Sequence, residues 1–171
     1  VDWEAFGLMM DLAMMGSGTG AIIEERMIKN LPTIRNSLTV HVSEGVGTAS
    51  PENRHDNTYV DYRGNTVTIK VGDSRRGWVD AYQAIIEAST ASEFDWLRAV
   101  HVNVDLSSVR PAGQKLKGFG GTSNPIKLED LFHKIAKILN GALGRRLTSV
   151  ECCLLIDEAA TVVVARNIRR S

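Results

Sequence analysis

Apolar side chains at Trp3, Phe6, Leu8, Met9, Leu12, Ala13 and Met15 recur at helical spacing, on more than one face. The glycine cluster Gly16-Ser17-Gly18-Thr19-Gly20 ends that helix, and Ala21-Ile22-Ile23 then has the character of a short buried strand. From residue 36 the period drops to two. Leu38, Val40 and Val42 alternate with Thr39, His41 and Ser43, which predicts a half-buried strand. Two further runs, 59–62 and 66–71, flank Arg63-Gly64-Asn65 and predict a hairpin. Residues 44–57 are polar and contain Gly45, Gly47 and Pro51, so they predict a loop.

The helical period then returns. Ser74 is placed to cap a helix over roughly 75–90, with Trp78, Tyr82, Ile85 and Ile86 as its buried stripe. Residues 99–106 alternate and then turn apolar, as a strand does. Asn124-Pro125 predicts an N-cap followed by proline at the first helical position. That helix buries Ile126, Leu128, Leu131, Ile135, Ile138 and Leu139 and ends at Gly141 or Gly144. Thr148-Ser149-Val150-Glu151 fits a capping box, and the last helix runs from there to about Val164. The fold class is α/β with a β-rich middle.

Composition narrows the function. The 171 residues are 43% hydrophobic and 23% charged, which suits a globular chain with a real core. Twenty basic and twenty acidic side chains cancel, which argues against nucleic acid or a membrane surface as partner. No apolar run approaches the roughly 18 residues of a membrane span, and no signal-peptide pattern is present. The cytoplasm is the expected location. Cys152 and Cys153 are adjacent, on a predicted apolar helix, and are expected to be buried structural thiols. The four histidines are scattered, without metal-ligand spacing. Trp78 is expected in the core, and Asp105 as a turn former. The chain opens inside a helix without Met and stops at Ser171 without a closing turn, so it is expected to be a piece of a longer one.

Two glycine-rich stretches could meet a phosphate. Glycines let backbone N–H groups approach one closely, but in 16–20 the order is helix, glycines, strand, the reverse of a dinucleotide-binding loop. That order disfavours a Rossmann-type dehydrogenase and leaves a helix C-cap with a tight turn as the plainer account. The stretch from Val109 to Thr122 carries Arg110, Lys115 and Lys117, four glycines and no acid, just ahead of a helix N-terminus. Residues 110–146 hold eight cations against two acids, a local charge of +6 that the rest of the chain offsets. A phosphate-bearing small molecule and a solvated basic loop both fit. The arginines at 166, 169 and 170 suit a helix C-terminus or recognition of phosphate or base.

Taken in order, these motifs become specific. Met14-Met15-Gly16-Ser17-Gly18-Thr19-Gly20-Ala21, Asp73-Ser74-Arg75-Arg76-Gly77-Trp78-Val79, Val109 to Gly121, Leu147-Thr148-Ser149-Val150-Glu151 and Asn167-Ile168-Arg169-Arg170-Ser171 together resemble the monomeric class II ribonucleotide reductases. These are adenosylcobalamin-dependent ribonucleoside-triphosphate reductases, and the wording is nearest to cyanobacterial and cyanophage-like members. The resemblance covers essentially the whole chain and is weakest over 44–65.

The resemblance implies part of a ten-stranded α/β barrel plus an α+β effector-binding insertion. Residues 1–26 would be a barrel helix, the glycine-rich effector segment and a strand. Residues 27–146 would be the allosteric insertion, and 147–171 a barrel helix with the start of the specificity loop. It implies a deoxynucleoside triphosphate effector held by Gly16, Ser17, Gly18, Thr19, Gly20, Arg110, Lys117, Gly118, Gly120 and Gly121. Asn167 and Arg169 would report effector identity to the substrate base. The substrate would be a ribonucleoside triphosphate, the parent's reductant thioredoxin-like, and the adenosylcobalamin bound outside this segment. The family's radical and redox cysteines match neither Cys152 nor Cys153, so no catalytic residue is assigned. One departure stands out: where the family usually has Gly before the Asn, this chain has Arg166. The alternative is a non-enzymatic nucleotide-binding regulatory module. Coding sequence with redox and radical cysteines on either side separates the two.

Overall fold

The computed structural model describes residues 31–91, 99–111, 122–123, 125–160 and 163–164. The expected helix over 2–15, the glycine segment and the strand after it lie outside the described residues. Four strands form one sheet: β1 (Ser37–Glu44), β2 (Tyr59–Arg63), β3 (Thr66–Lys70) and β4 (Ala99–Asp105). Their order is β1-β4-β3-β2. β4 pairs in parallel with both β1 and β3, and β2 closes the far side as an antiparallel hairpin with β3. The hairpin turns at Gly64, whose φ of 57° lies in the left-handed region that glycine adopts without strain.

One face of the sheet is apolar. Leu38, Val67, Ile69, Val100, Val102 and Val104 are buried there. The alternate positions His41, Lys70 and His101 are exposed, so a period of two is legible even in parallel strands, which are usually covered on both faces. Helix α1 (Arg75–Ala88) links β3 to β4 and packs on β3; α2 (Pro125–Gly141) packs on β1 and on α1. Trp78, Tyr82, Ile85 and Ile86 of α1 are fully buried, as their spacing predicts. On α2, Phe132 is buried and Ile138 only partly, so the stripe is rotated slightly from the predicted one.

Local chemistry sets the helix ends. Ser74 Oγ accepts the Gly77 N–H at 3.0 Å and caps α1. Asn36, fully buried, donates from Nδ2 to the carbonyls of Ala88 and Ala91 at 2.8 and 2.7 Å and closes the other end of α1. Pro125 is the first residue of α2; Asn124 lies outside the described residues. Beyond Gly141, Gly144 takes a φ of 89°, a left-handed turn residue after the helix. Asn140 offers Oδ1 to the Leu38 N–H and donates from Nδ2 to the Leu38 carbonyl, both at 2.8 Å. It serves the edge strand β1 as a further strand would.

Helix α3 (Ser149–Ala160) begins with the predicted capping box: Thr148 Oγ1 accepts the Glu151 N–H at 3.2 Å and Glu151 accepts the Thr148 N–H at 2.9 Å. Its end differs from the prediction. The helix stops at Ala160, and Val163–Val164 form strand β6, antiparallel to β5 (Thr122–Ser123). Thr161 to Val164 are all β-branched, which lowers helix propensity and favours extended backbone.

The entry and exit of this unit meet. Ile34 N–H donates to the Arg145 carbonyl at 2.9 Å, and Gly144 N–H donates to the Ile34 carbonyl at 2.7 Å. A domain whose ends lie together can be carried within another chain without distorting it.

Two outcomes follow. A Cβ on Gly72 would lie 2.6 Å from the Asn57 carbonyl carbon and closer still to the Asp56 carbonyl oxygen. Gly72→Ala should therefore cost about 1–3 kcal/mol, read from denaturant midpoints; an unchanged midpoint rejects the close approach. Glu151, bonded by Arg145 at 2.7 and 2.9 Å, has its carboxyl held down to about 2 from an ordinary 4.5. Its stabilising contribution is complete above the ordinary value and drains away as pH falls toward the lowered one. Between about pH 5 and pH 2 the native chain should thus lose more stability than Glu151→Gln. Parallel losses in the two chains would contradict this.

Candidate functional site

The parallel strands β1, β3 and β4 all run toward one edge, and their exit loops are knitted together there. Val71 N–H donates to the Asp105 carbonyl and Leu106 N–H to the Glu44 carbonyl, both at 3.0 Å. Ser107 N–H donates to Asp105 Oδ1 at 2.9 Å, so Asp105 forms a turn, as expected of a strand-end aspartate. Thr58 Oγ1 accepts the Gly72 N–H at 2.9 Å and donates to the Gly77 carbonyl at 2.5 Å. Ser74 Oγ donates to the Asp56 carbonyl at 2.7 Å. In open α/β sheets this edge, at the carboxyl ends of the strands, is where ligands gather.

The charged centre of this edge is a pair, Asp73 with Arg110. Arg110 Nε lies 2.9 Å from Asp73 Oδ1 and 3.1 Å from Oδ2, and Nη2 lies 2.9 Å from Oδ2. The Arg110 main-chain N–H also donates to Oδ1, at 3.0 Å. The two side chains are only 7% and 15% exposed, Asp73 the deeper. Asp73 N–H in turn donates to the His55 carbonyl at 2.9 Å. A two-pronged contact in so closed a place is strong and strongly directional.

Arg110 is thus the one expected effector residue among the described residues, and it sits at the mouth of the cationic glycine stretch. Gly16, Ser17, Gly18, Thr19, Gly20, Lys117, Gly118, Gly120 and Gly121 lie outside the described residues, as do Asn167 and Arg169. Asp73 opens the run Asp73-Ser74-Arg75-Arg76-Gly77-Trp78-Val79, but its role is not legible in the sequence. Nothing local distinguishes it, because its partner is 37 positions away.

Sequence reasoning also missed an open hollow of about 600 Å³ on the hairpin, lined by His55, Tyr59, Asp61, Arg63, Thr68 and Lys70 among others. His55 meets the Tyr59 ring edge-on, 5.1 Å between centroids, and Arg63 Nε donates to Asp61 at 2.8 Å. A smaller hollow of about 290 Å³ lies beside Lys127, Lys134 and Glu158. Both are lined largely by charged and polar side chains and do not fit a corrin ring. Among the described residues no cluster of three or more His, Cys, Asp or Glu is arranged to hold a metal, and no helix is long and apolar enough to cross a membrane.

A family model for the insertion domain of B12-dependent ribonucleotide reductases matches residues 34–139. This chain belongs to that reductase family. The adenosylcobalamin-dependent ribonucleoside-triphosphate reductase of Levilactobacillus brevis is 31% identical, over 97% of this chain and 23% of the relative. Its counterpart in Lactobacillus helveticus is 29% identical, over 97% and 24%. A crystal structure of a B12-dependent, class II ribonucleotide reductase superposes with a TM-score of 0.69 at 26% identity, covering 94% of this chain and 23% of that one. The α/β fold expected from the sequence is therefore that of a stretch of a class II reductase. The chain spans about a quarter of the length of the curated relatives it matches.

The cysteines differ from each other. Cys152 is buried, and burial pushes its thiol up to about 12; Cys153 is half-buried rather than buried, a correction to the expectation for both. Adjacent helix positions point about 100° apart, so one faces the core and the other its margin. Alkylation of the native chain at neutral pH, mapped by mass spectrometry, should label Cys153 well before Cys152. Equal labelling would contradict the burial of Cys152.

Proposed function

We propose that this chain is the effector-binding part of an adenosylcobalamin-dependent ribonucleoside-triphosphate reductase. The parent replaces the ribose 2′-OH of a ribonucleoside triphosphate with hydrogen, using a thioredoxin-type reductant. Adenosylcobalamin, bound outside this segment, supplies the radical chemistry. Here residues 27–146 form the allosteric insertion, between a barrel part over 1–26 and another over 147–171. A deoxynucleoside triphosphate is held by the glycine segment 16–20 and by the stretch 110–121, with Lys117 as its foremost cation. Asn167 and Arg169 then carry effector identity toward the substrate base, a coupling between two sites in the thermodynamic sense. The setting is the cytoplasm, where deoxynucleotides are made for DNA replication.

The observation that carries this reading is the β5–β6 pairing. Thr122 pairs with Val164 and Ser123 with Val163. The chain leaving the cationic stretch is hydrogen-bonded to the chain approaching Asn167. A ligand held by the first is thereby placed to bias the second. The family match over 34–139 and the meeting of the unit's two ends support the division into body and insertion.

The test uses the full-length reductase. Lys117→Ala should weaken deoxynucleoside triphosphate binding by about 1.5–3 kcal/mol, the worth of one charge-assisted contact. Equilibrium binding of each deoxynucleoside triphosphate measures it, and unchanged affinities reject the reading. The 171-residue chain alone should turn over no ribonucleotide.

A further inference from the structure

We propose that the hollow on the hairpin is a binding site for a single nucleoside phosphate, separate from the glycine-rich stretch. The proposal stands on the geometry of the hairpin and not on the effector reading. Residues 59, 61 and 63 of β2 pair with 70, 68 and 66 of β3. They share the side of the sheet away from the helices, because the alternate Val67 and Ile69 are the buried ones. The hollow on that side has a volume of about 600 Å³, a size that small-molecule sites share, at about 300–1,000 Å³. Tyr59 stands in it and is 55% exposed. An aromatic ring on an exposed sheet face is a surface on which a base stacks.

The ring is held in place by its surroundings. Tyr59 is fixed in the ladder opposite Lys70, and His55 meets it edge-on with 5.1 Å between centroids. His55 is fixed in turn: its Nδ1 donates to the Asn57 carbonyl at 2.8 Å, and its own carbonyl accepts the Asp73 N–H at 2.9 Å. A platform fixed in advance leaves less to order when a ligand arrives. Charge completes the site. The lining carries Arg63 and Lys70 against one acid, Asp61, and Asp61 is already engaged by Arg63 Nε at 2.8 Å. Lys70 is exposed and meets no carboxylate among the described residues, so its ammonium is the cation left for a phosphate. Thr68 adds a hydroxyl between the two ends of the hollow. A ring beside a lone ammonium suits a ligand that joins a flat ring to negative charge, as a nucleoside phosphate does. The hollow spans one hairpin and the whole chain is neutral, so a single nucleotide fits it rather than a strand, which asks for a long basic track.

The test photolabels the full-length reductase with 8-azido-ATP and maps the label by mass spectrometry. A saturable label should appear on the peptide carrying residues 55–70. Excess ATP should remove it. Adenosine alone or tripolyphosphate alone should do so only at concentrations about tenfold higher or more, because each supplies one part of the contact. Tyr59→Thr keeps a good strand former in place but removes the ring, and Lys70→Gln removes the charge. Each should raise the half-saturating concentration on the order of tenfold. Tyr59→Phe and Lys70→Arg keep the ring and the charge and should leave it within about twofold. Both positions are exposed, so these changes fall on the ligand contact and not on the core. Lys117→Ala should leave this label as it is, even where it weakens effector binding, so the two readings stand or fall separately. The absence of a saturable label on that peptide overturns the proposal. So does a label indifferent to Tyr59→Thr and Lys70→Gln, or one that tripolyphosphate removes as readily as ATP, which marks a simple anion patch. Displacement by a single-stranded oligonucleotide at lower concentration than by ATP overturns it as well, because the ligand is then a strand.

Discussion

β4 is hydrogen-bonded on both sides to strands running its own way, and that constraint organises the rest of the molecule. Parallel neighbours cannot be joined by a tight turn; each connection must cross the sheet. The crossing from β3 to β4 is α1, which closes one face of the sheet with Trp78, Tyr82 and Ile85. The same constraint brings the ends of β1, β3 and β4 to one edge. Three loops that are far apart in sequence are thereby forced together, and their backbone groups must find partners there. The bonds among Glu44, Val71, Asp105 and Leu106 are that satisfaction, and the Asp73–Arg110 pair sits among them.

A second consequence concerns how the unit is carried. β1 is an edge strand, and an open edge invites pairing with other chains. Asn140 occupies part of it, and the strand's approach is held by Ile34 against Gly144 and Arg145. The closing of the edge and the joining of the two ends are thus one arrangement. Tyr82 extends it inward. Its buried hydroxyl donates to the Leu155 carbonyl at 3.0 Å, tying α1 to α3, and burial pushes its ionisation far above the ordinary range. On the other side of α3, Val150 and Leu154 are exposed one helical turn apart. α3 is thus apolar on both sides, with one of them open to solvent among the described residues.

Most of the described fold was legible because its signals are local. A single alternation found β1, a glycine turn found the hairpin, and Ser74 and Thr148 found the starts of α1 and α3. The misreading at the end of α3 has a physical cause. The apolar spacing ran on past Ala160, but spacing cannot distinguish a helix from a β-branched run that has a strand partner. That partner, β5, is about forty positions away in sequence. The site was legible in part for the same reason. Glycines and cations can be counted in one stretch, whereas the role of Asp73 depends on a contact with Arg110 that no local pattern encodes.

The charge arithmetic shows the same limit. Counted along the sequence, residues 110–146 carry an excess of +6. In the fold, Arg110 meets Asp73, Lys134 meets Glu158 and Arg145 meets Glu151, all carboxylates from outside the stretch. These contacts are not spread evenly: they fall on α2, on the turn after it and on the first residue of the stretch. Lys115 and Lys117 stand in a run from 111 to 128 that has no acid of its own. Along the sequence, then, the cations at 115 and 117 are set apart from any acid, whereas those at 110, 134 and 145 meet one in the fold. The triphosphate proposed above calls for charge in that part of the sequence, between the end of β4 and the start of α2, more than for a large total.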